Sequence, residues 1–127
     1  MGATEGQGDM VRTRRAPERG SVVYLDFDPQ SGHEQAGRRP ALILSPHSYK
    51  EKVGLALVCP ITTRSKNYPF EVVLPLGRKI QGVVLSDQVK SSYWAARNAE
   101  VVDRVDAATT AAVLERLSLL LNADKRA

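Results

Sequence analysis

Cysteine is nearly absent from this chain: Cys59 stands alone among 127 residues. One thiol cannot form an internal disulfide, so a reducing compartment, the cytoplasm, is expected. There are two histidines, and the carboxylates Asp26 and Asp28 have no neighbouring Cys or His. A structural zinc site is therefore not expected, nor is any other resident metal or cofactor. No run approaches the ~18 consecutive apolar residues of a membrane span. The N-terminal stretch carries no apolar segment of the export type, so no membrane partner is expected. There is no GxxxxGK[ST] phosphate loop, no dinucleotide fingerprint and no GxSxG elbow. Nucleotide-driven enzymes and serine hydrolases of the familiar kinds are thereby set aside.

What the chain does hold is charge, unevenly placed. The formal net charge is +4. Residues 38–97 carry ten Lys/Arg against three acids, a surplus of seven positive charges, while the remainder nets three negative. A basic middle of this kind suits a polyanion or an acidic partner peptide. The length and the 43% hydrophobic content fit one small domain with a real core, and a chain this small gains by covering surface through self-association.

The organisation follows from periodicity. Residues 1–19 mix glycine, proline and both charge signs without apolar periodicity and read as a flexible tail. From Gly20 to Asn122 the chain reads as a single domain, followed by a short tail, 123–127. Val23, Leu25 and Phe27 alternate with Tyr24, Asp26 and Asp28, the pattern of a half-buried strand that ends at Pro29. A loop dense in glycine and charge, Gly32 to Arg39, leads to Pro40 and a second apolar run, Ala41–Ser45. Gly54–Thr63 reads as the longest strand, with Pro60 marking a bulge, an edge or a bend. Phe70–Leu74, Gly82–Ser86 and Ala99–Val105 read as further strands, and Lys90–Arg97 as irregular. Asp106 is a good helix cap before a helix over about 107–121, whose Val113, Leu114, Leu117, Leu120 and Leu121 share one face and read as core. Short strands followed by one helix predict a small, strongly bent antiparallel sheet or barrel with a helix on one side.

Polar residues gather at the strand ends: His33, Glu34 and Arg39; Thr62, Thr63 and Arg64; Ser86, Asp87 and Gln88. In a small barrel such ends can meet on one rim. Arginine, hydroxyl and carboxylate together suit phosphoryl chemistry on RNA, which brings its own nucleophile in the 2′-OH. The same residues also make ordinary turn hydrogen bonds. Cys59, alternating with apolar neighbours, reads as core.

Several stretches then match a known family. Val23-Tyr24-Leu25-Asp26-Phe27-Asp28-Pro29, the block Gly32-His33-Glu34-Gln35-Ala36-Gly37-Arg38-Arg39-Pro40-Ala41, Pro60-Ile61-Thr62-Thr63, Tyr68-Pro69-Phe70-Glu71-Val72-Val73-Leu74, and Gly82-Val83-Val84-Leu85-Ser86-Asp87-Gln88-Val89-Lys90 stand in order. Over roughly residues 18–121 the chain resembles the MazF/PemK-like toxins of type II toxin–antitoxin systems, nearest to the MazF branch. The resemblance implies an SH3-like barrel of the CcdB/PemK kind with a C-terminal helix, assembled as a homodimer. It implies a sequence-specific, metal-independent endoribonuclease acting on single-stranded RNA and leaving 2′,3′-cyclic phosphate and 5′-hydroxyl ends. An acidic, MazE-like antitoxin would neutralise it. In the MazF branch the matching catalytic positions are Arg39 and Thr62, with Glu34 as a candidate base. The PemK set is incomplete here: His33 and Asp87 match, but Leu85 fills its arginine position. His33, Gln35, Arg38, Thr63, Arg64, Lys66, Asp87, Gln88, Lys90 and Arg97 are expected as RNA contacts or secondary catalytic groups. The alternatives are a CcdB-like gyrase inhibitor, for which the C-terminal residues offer no aromatic element, and a barrel that binds RNA without cutting it.

Overall fold

The computed structural model describes residues 15–27, 37–76 and 78–122. Among the described residues, seven strands, two helices and one 3-10 turn follow the order β1 (Ser21–Phe27), β2 (Gly37–Ile43), α1 (His47–Val53), β3 (Leu55–Thr62), β4 (Glu71–Val73), β5 (Val83–Leu85), the 3-10 turn Ser86–Gln88, β6 (Lys90–Tyr93), β7 (Glu100–Arg104) and α2 (Ala107–Leu121). These strands make one antiparallel sheet ordered β4-β5-β3-β2-β1-β7, with β6 also paired to β3. Among the described residues the sheet does not close, and β4 and β7 lie at its ends. The mainly β class with a C-terminal helix is as the sequence predicts.

Strand β3 is the hub. One edge pairs with β2 through Ala41↔Pro60, Leu42↔Cys59 and Ile43↔Val58. The other edge is shared, Leu55–Val58 going to β6 and Ile61–Thr62 to β5. Cys59 and Pro60 fall at the changeover, and Pro60 has no N–H to offer a ladder there. The bulge, edge or bend read from this proline falls where β3 exchanges partners along that edge.

Both faces of the central strands are buried. One core joins Val22, Leu42, Leu44, Cys59, Ile61 and Val84 to Val113 of α2. The other joins Val23, Leu25, Phe27, Ala41, Ile43, Ala56 and Val58 to Trp94 and Ala99. Ala16 is buried in this second core, and Arg19 Nε donates to the Leu44 carbonyl at 2.6 Å, so residues 16–19 pack against the domain.

The sequence reading departs from the structure in three places, the first being residues 16–19, expected to be part of a flexible tail and instead held by the burial of Ala16 and the Arg19–Leu44 hydrogen bond. Lys90–Tyr93, expected to be irregular, is a strand. Its sequence, Lys-Ser-Ser-Tyr, carries no apolar alternation, and the pairing comes from the open edge of β3. The leucine face of α2 is core only in its first part. Val113 is fully buried, with Leu114 and Leu117 packed against the same cluster. Leu120 and Leu121 are 42% and 74% exposed, and neither joins that cluster, so the apolar face is covered only over its first turns.

Candidate active site

The register of β2 against β3 places the two leading candidates. The pairing of β2 with β3 ends at Ala41↔Pro60, and Arg39 and Thr62 each lie two residues beyond that pair, at the same end of the two strands. Being two residues from a paired position, both share its face. Arg39 is exposed and pairs on its other side with Leu25 of β1. Thr62 is 7% exposed and pairs with Val83. Its Oγ1 accepts the backbone N–H of Arg64 at 3.1 Å, an arrangement that leaves the hydroxyl proton to be donated elsewhere.

Gly82 fixes the backbone at this point. Its φ of +126° belongs to glycine, and a Cβ there would stand 2.3 Å from the Thr62 carbonyl oxygen. The close approach of the two backbones therefore requires glycine.

The remaining candidates fall into separate groups. Arg38, next to Arg39 but on the opposite face, holds Asp26 Oδ1 at 3.0 Å, Glu100 Oε1 at 3.2 Å and the Asn98 carbonyl at 3.0 Å. Asn98 Nδ2 in turn donates to Asp26 Oδ2 at 2.7 Å. Arg38 thus joins β2 to β1 and β7. Thr63, Arg64 and Lys66 are exposed along the segment after β3. Asp87 and Gln88 lie in the 3-10 turn beyond β5. Val83, at the other end of β5, is the partner of Thr62, so Asp87 faces Tyr68 instead, whose phenol pKa it raises by hydrogen bonding and by its charge. Lys90 and Arg97 line a cleft of about 180 Å³ with Asp26, Phe27, Ser91, Ser92 and Tyr93. Lys90 Nζ sits 5.4 Å above the Phe27 ring centroid, within cation–π range. His33, Glu34 and Gln35 lie outside the described residues.

Cys59 is fully buried. Burial first, and then the Asp87 charge, push its thiol up to about 12, which suits a core residue and not a nucleophile. Sequence reasoning missed Asp26 as a site residue, although it stands at the polar position of the β1 alternation beside the loop. It also missed Glu71, whose carboxylate accepts from Ser65 Oγ at 2.6 Å and from the Lys66 N–H at 2.9 Å. Glu71 sits inside the Tyr68–Leu74 block, where the apolar strand residues dominate the signal.

Residues 18–121 match the model of the PemK-like, MazF-like toxin of type II toxin–antitoxin systems. The chain belongs to the PemK/MazF-like toxin family. The endoribonuclease toxin MazF of Escherichia coli (strain K12) is 54% identical over 87 residues, 68% of this chain and 78% of that protein. The endoribonuclease PemK of Escherichia coli is 34% identical over 116 residues, 88% of this chain and 87% of that protein. Among solved structures, MazF from Deinococcus radiodurans superposes with a TM-score of 0.80 at 48% identity, covering 84% of this chain and 97% of that one. A MazE–MazF structure from the same organism gives 0.77 at 47% identity, covering 86% and 98%. As a PemK/MazF-like toxin, the chain shares its sheet-and-helix architecture with these relatives. Arg39 and Thr62 lie in two of the five blocks that carried the resemblance.

Proposed function

We propose that this chain is a sequence-specific endoribonuclease toxin that cuts single-stranded RNA without a metal ion. The observation that supports it is that Arg39 and Thr62 lie at the same end of adjacent central strands, each two residues beyond the Ala41–Pro60 pair. The RNA's own 2′-OH attacks the adjacent phosphorus and expels the 5′-oxygen, leaving 2′,3′-cyclic phosphate and 5′-hydroxyl ends. Arg39 offers a planar, permanently charged donor fork to the phosphate oxygens as negative charge builds on them. Thr62 offers its hydroxyl proton to a phosphate or leaving oxygen from a fixed position. Glu34 is the proposed base, with His33 and Asp87 as secondary acid–base groups. Arg64, Lys66, Lys90 and Arg97, with Gln35, Thr63 and Gln88, are the proposed contacts along the strand, and Arg38 a peripheral one.

Relatives named as endoribonucleases favour this reading over gyrase inhibition. The basic segment 38–97 and the MazE–MazF structures among its neighbours support an acidic, MazE-like antitoxin as partner. We further propose a homodimer working in the cytoplasm, with residues 20–122 as its single domain.

Incubation of the purified chain with a long unstructured RNA, with and without EDTA, tests the reaction. Cleavage at a recurring short sequence in both conditions, with cyclic phosphate ends, is expected. Arg39→Ala and Thr62→Ala are each expected to lower kcat by about 10²–10³-fold, the usual loss for one transition-state donor, while circular dichroism stays native. Undiminished cleavage in both variants removes the pair from the mechanism.

A further inference from the structure

The segment between β3 and β4 has little reason to hold a shape by itself. Residues 63–69 are all exposed. Arg64 and Lys66 repel one another, and Asn67 sits in the left-handed region at φ 55°, a conformation uncommon outside glycine. Yet its polar groups converge on one carboxylate. Ser65 Oγ donates to one oxygen of Glu71 and the Lys66 N–H to the other. Ser65 Oγ then accepts the Asn67 N–H at 3.2 Å, which supports the left-handed turn. The Glu71 N–H returns to the Tyr68 carbonyl at 3.0 Å. The far end is tied from two other elements: Arg116 Nε of α2 donates to the Pro69 carbonyl at 3.1 Å, and the Ser86 N–H to the Phe70 carbonyl at 3.1 Å.

We infer that Glu71 is a positioning residue for RNA binding: its carboxylate folds residues 63–70 into one loop, in which the Arg64 backbone N–H meets Thr62 Oγ1 and Tyr68 meets Asp87. This rests on the endoribonuclease reading. An acid exposed on a face that meets phosphates would oppose them. Here both of its oxygens are taken up by the donors of its own loop, so the negative charge organises the cations beside it. Hydrogen bonds to an ionised carboxylate are short and strong for their kind. Consistently, the Ser65 hydroxyl and then the Lys66 N–H hold the Glu71 carboxyl below its usual range. Glu71 acts through Arg64, Lys66 and Tyr68 and touches no reacting atom.

The test compares wild type with Glu71→Ala, Glu71→Gln and Ser65→Ala in the full chain. One arm measures steady-state cleavage of a short RNA containing the mapped site. The other measures affinity for the same RNA with 2′-O-methyl groups, which cannot be cut. Glu71→Ala is expected to raise both KM and Kd about tenfold, the order expected when charged phosphate contacts are misplaced, with kcat within about twofold and Tm little changed. Glu71→Gln keeps an acceptor for the Lys66 N–H and is expected to recover part of the loss, while Ser65→Ala shifts KM in the same direction by less. Unchanged KM and Kd in Glu71→Ala overturn the inference, as does a fall in kcat that merely tracks a fall in Tm. If the wild type binds the methylated RNA but does not cut the unmodified one, the endoribonuclease reading fails, and the affinity arm still decides the role of Glu71. If the wild type binds no RNA, both readings fall.

Discussion

Arg38 and Arg39 are chemically identical neighbours with separate surroundings. Alternation along β2 sends one towards Asp26, Asn98 and Glu100 and the other to the opposite face, two residues from the Ala41–Pro60 pair. Nothing in the dipeptide itself tells them apart; the pairing register does. Gly82 makes a similar point. In the sequence it is one of nine glycines, and in the structure its missing side chain is what lets the Thr62 carbonyl lie where it does. Gly82→Ala is therefore expected to destabilise the fold by about 2 kcal/mol through overpacking against backbone and strain at positive φ. Cleavage should fall further than the folded fraction does, because Thr62 is displaced even in molecules that fold. Urea titration beside the RNA assay on the same preparation separates the two effects. Equal losses in both would free Gly82 of any link to the site.

At the level of elements, helix α2 was legible almost to the residue. Asp106 caps it by accepting the Thr109 N–H at 2.9 Å, and apolar spacing marks its body. Thr109, by side-chain and backbone hydrogen bonds, holds the Asp106 carboxyl below its ordinary value of 3.8. A lowered folded pKa contributes stability above the unfolded value, lost as pH falls through the folded one. Thermal unfolding followed between about pH 5 and pH 2, an interval that spans both protonation states of a carboxylate, should show wild type losing its margin over Asp106→Ala below about pH 4. Curves that stay parallel throughout would mean that ionisation of Asp106 adds nothing to the cap. Strand β6 was illegible for a physical reason: Lys90–Tyr93 is a strand because β3 offers it an edge, and local propensity gives no hint of that. The same holds for the exposed end of α2, since what packs against a helix face is a tertiary fact. In the site, residue types and their blocks were legible, and Arg39 and Thr62 were singled out through the resemblance. Their standing at the same end of adjacent strands came only with the register, and the part proposed for Glu71 only with the loop's hydrogen bonds.

For the whole molecule, the surplus of seven positive charges in residues 38–97 is spread over several elements: Arg39 on β2, Arg64 and Lys66 after β3, Lys90 on β6 and Arg97 beyond it. If Arg64, Lys66, Lys90 and Arg97 each meet a phosphate, log K for uncleavable single-stranded RNA should fall against log salt with a slope of about −3. Double replacement of Lys66 and Lys90 by alanine should reduce that slope by about half. A salt-independent affinity would mean that the basic segment does not face RNA.

The hub position of β3 also sets an order of events. Its outer edge is completed by strands that begin at Val83 and Lys90, some twenty to thirty-five residues further along the chain than the segments they join. Such long-range pairings form slowly, since loop closure precedes any gain from contact. On the ribosome, a nascent chain that has exposed the blocks holding Arg39 and Thr62 still lacks the strand against which Thr62 is set. Assembly of the proposed site is thereby postponed until β5 and β6 have been made, an interval in which a partner already present can be waiting for it.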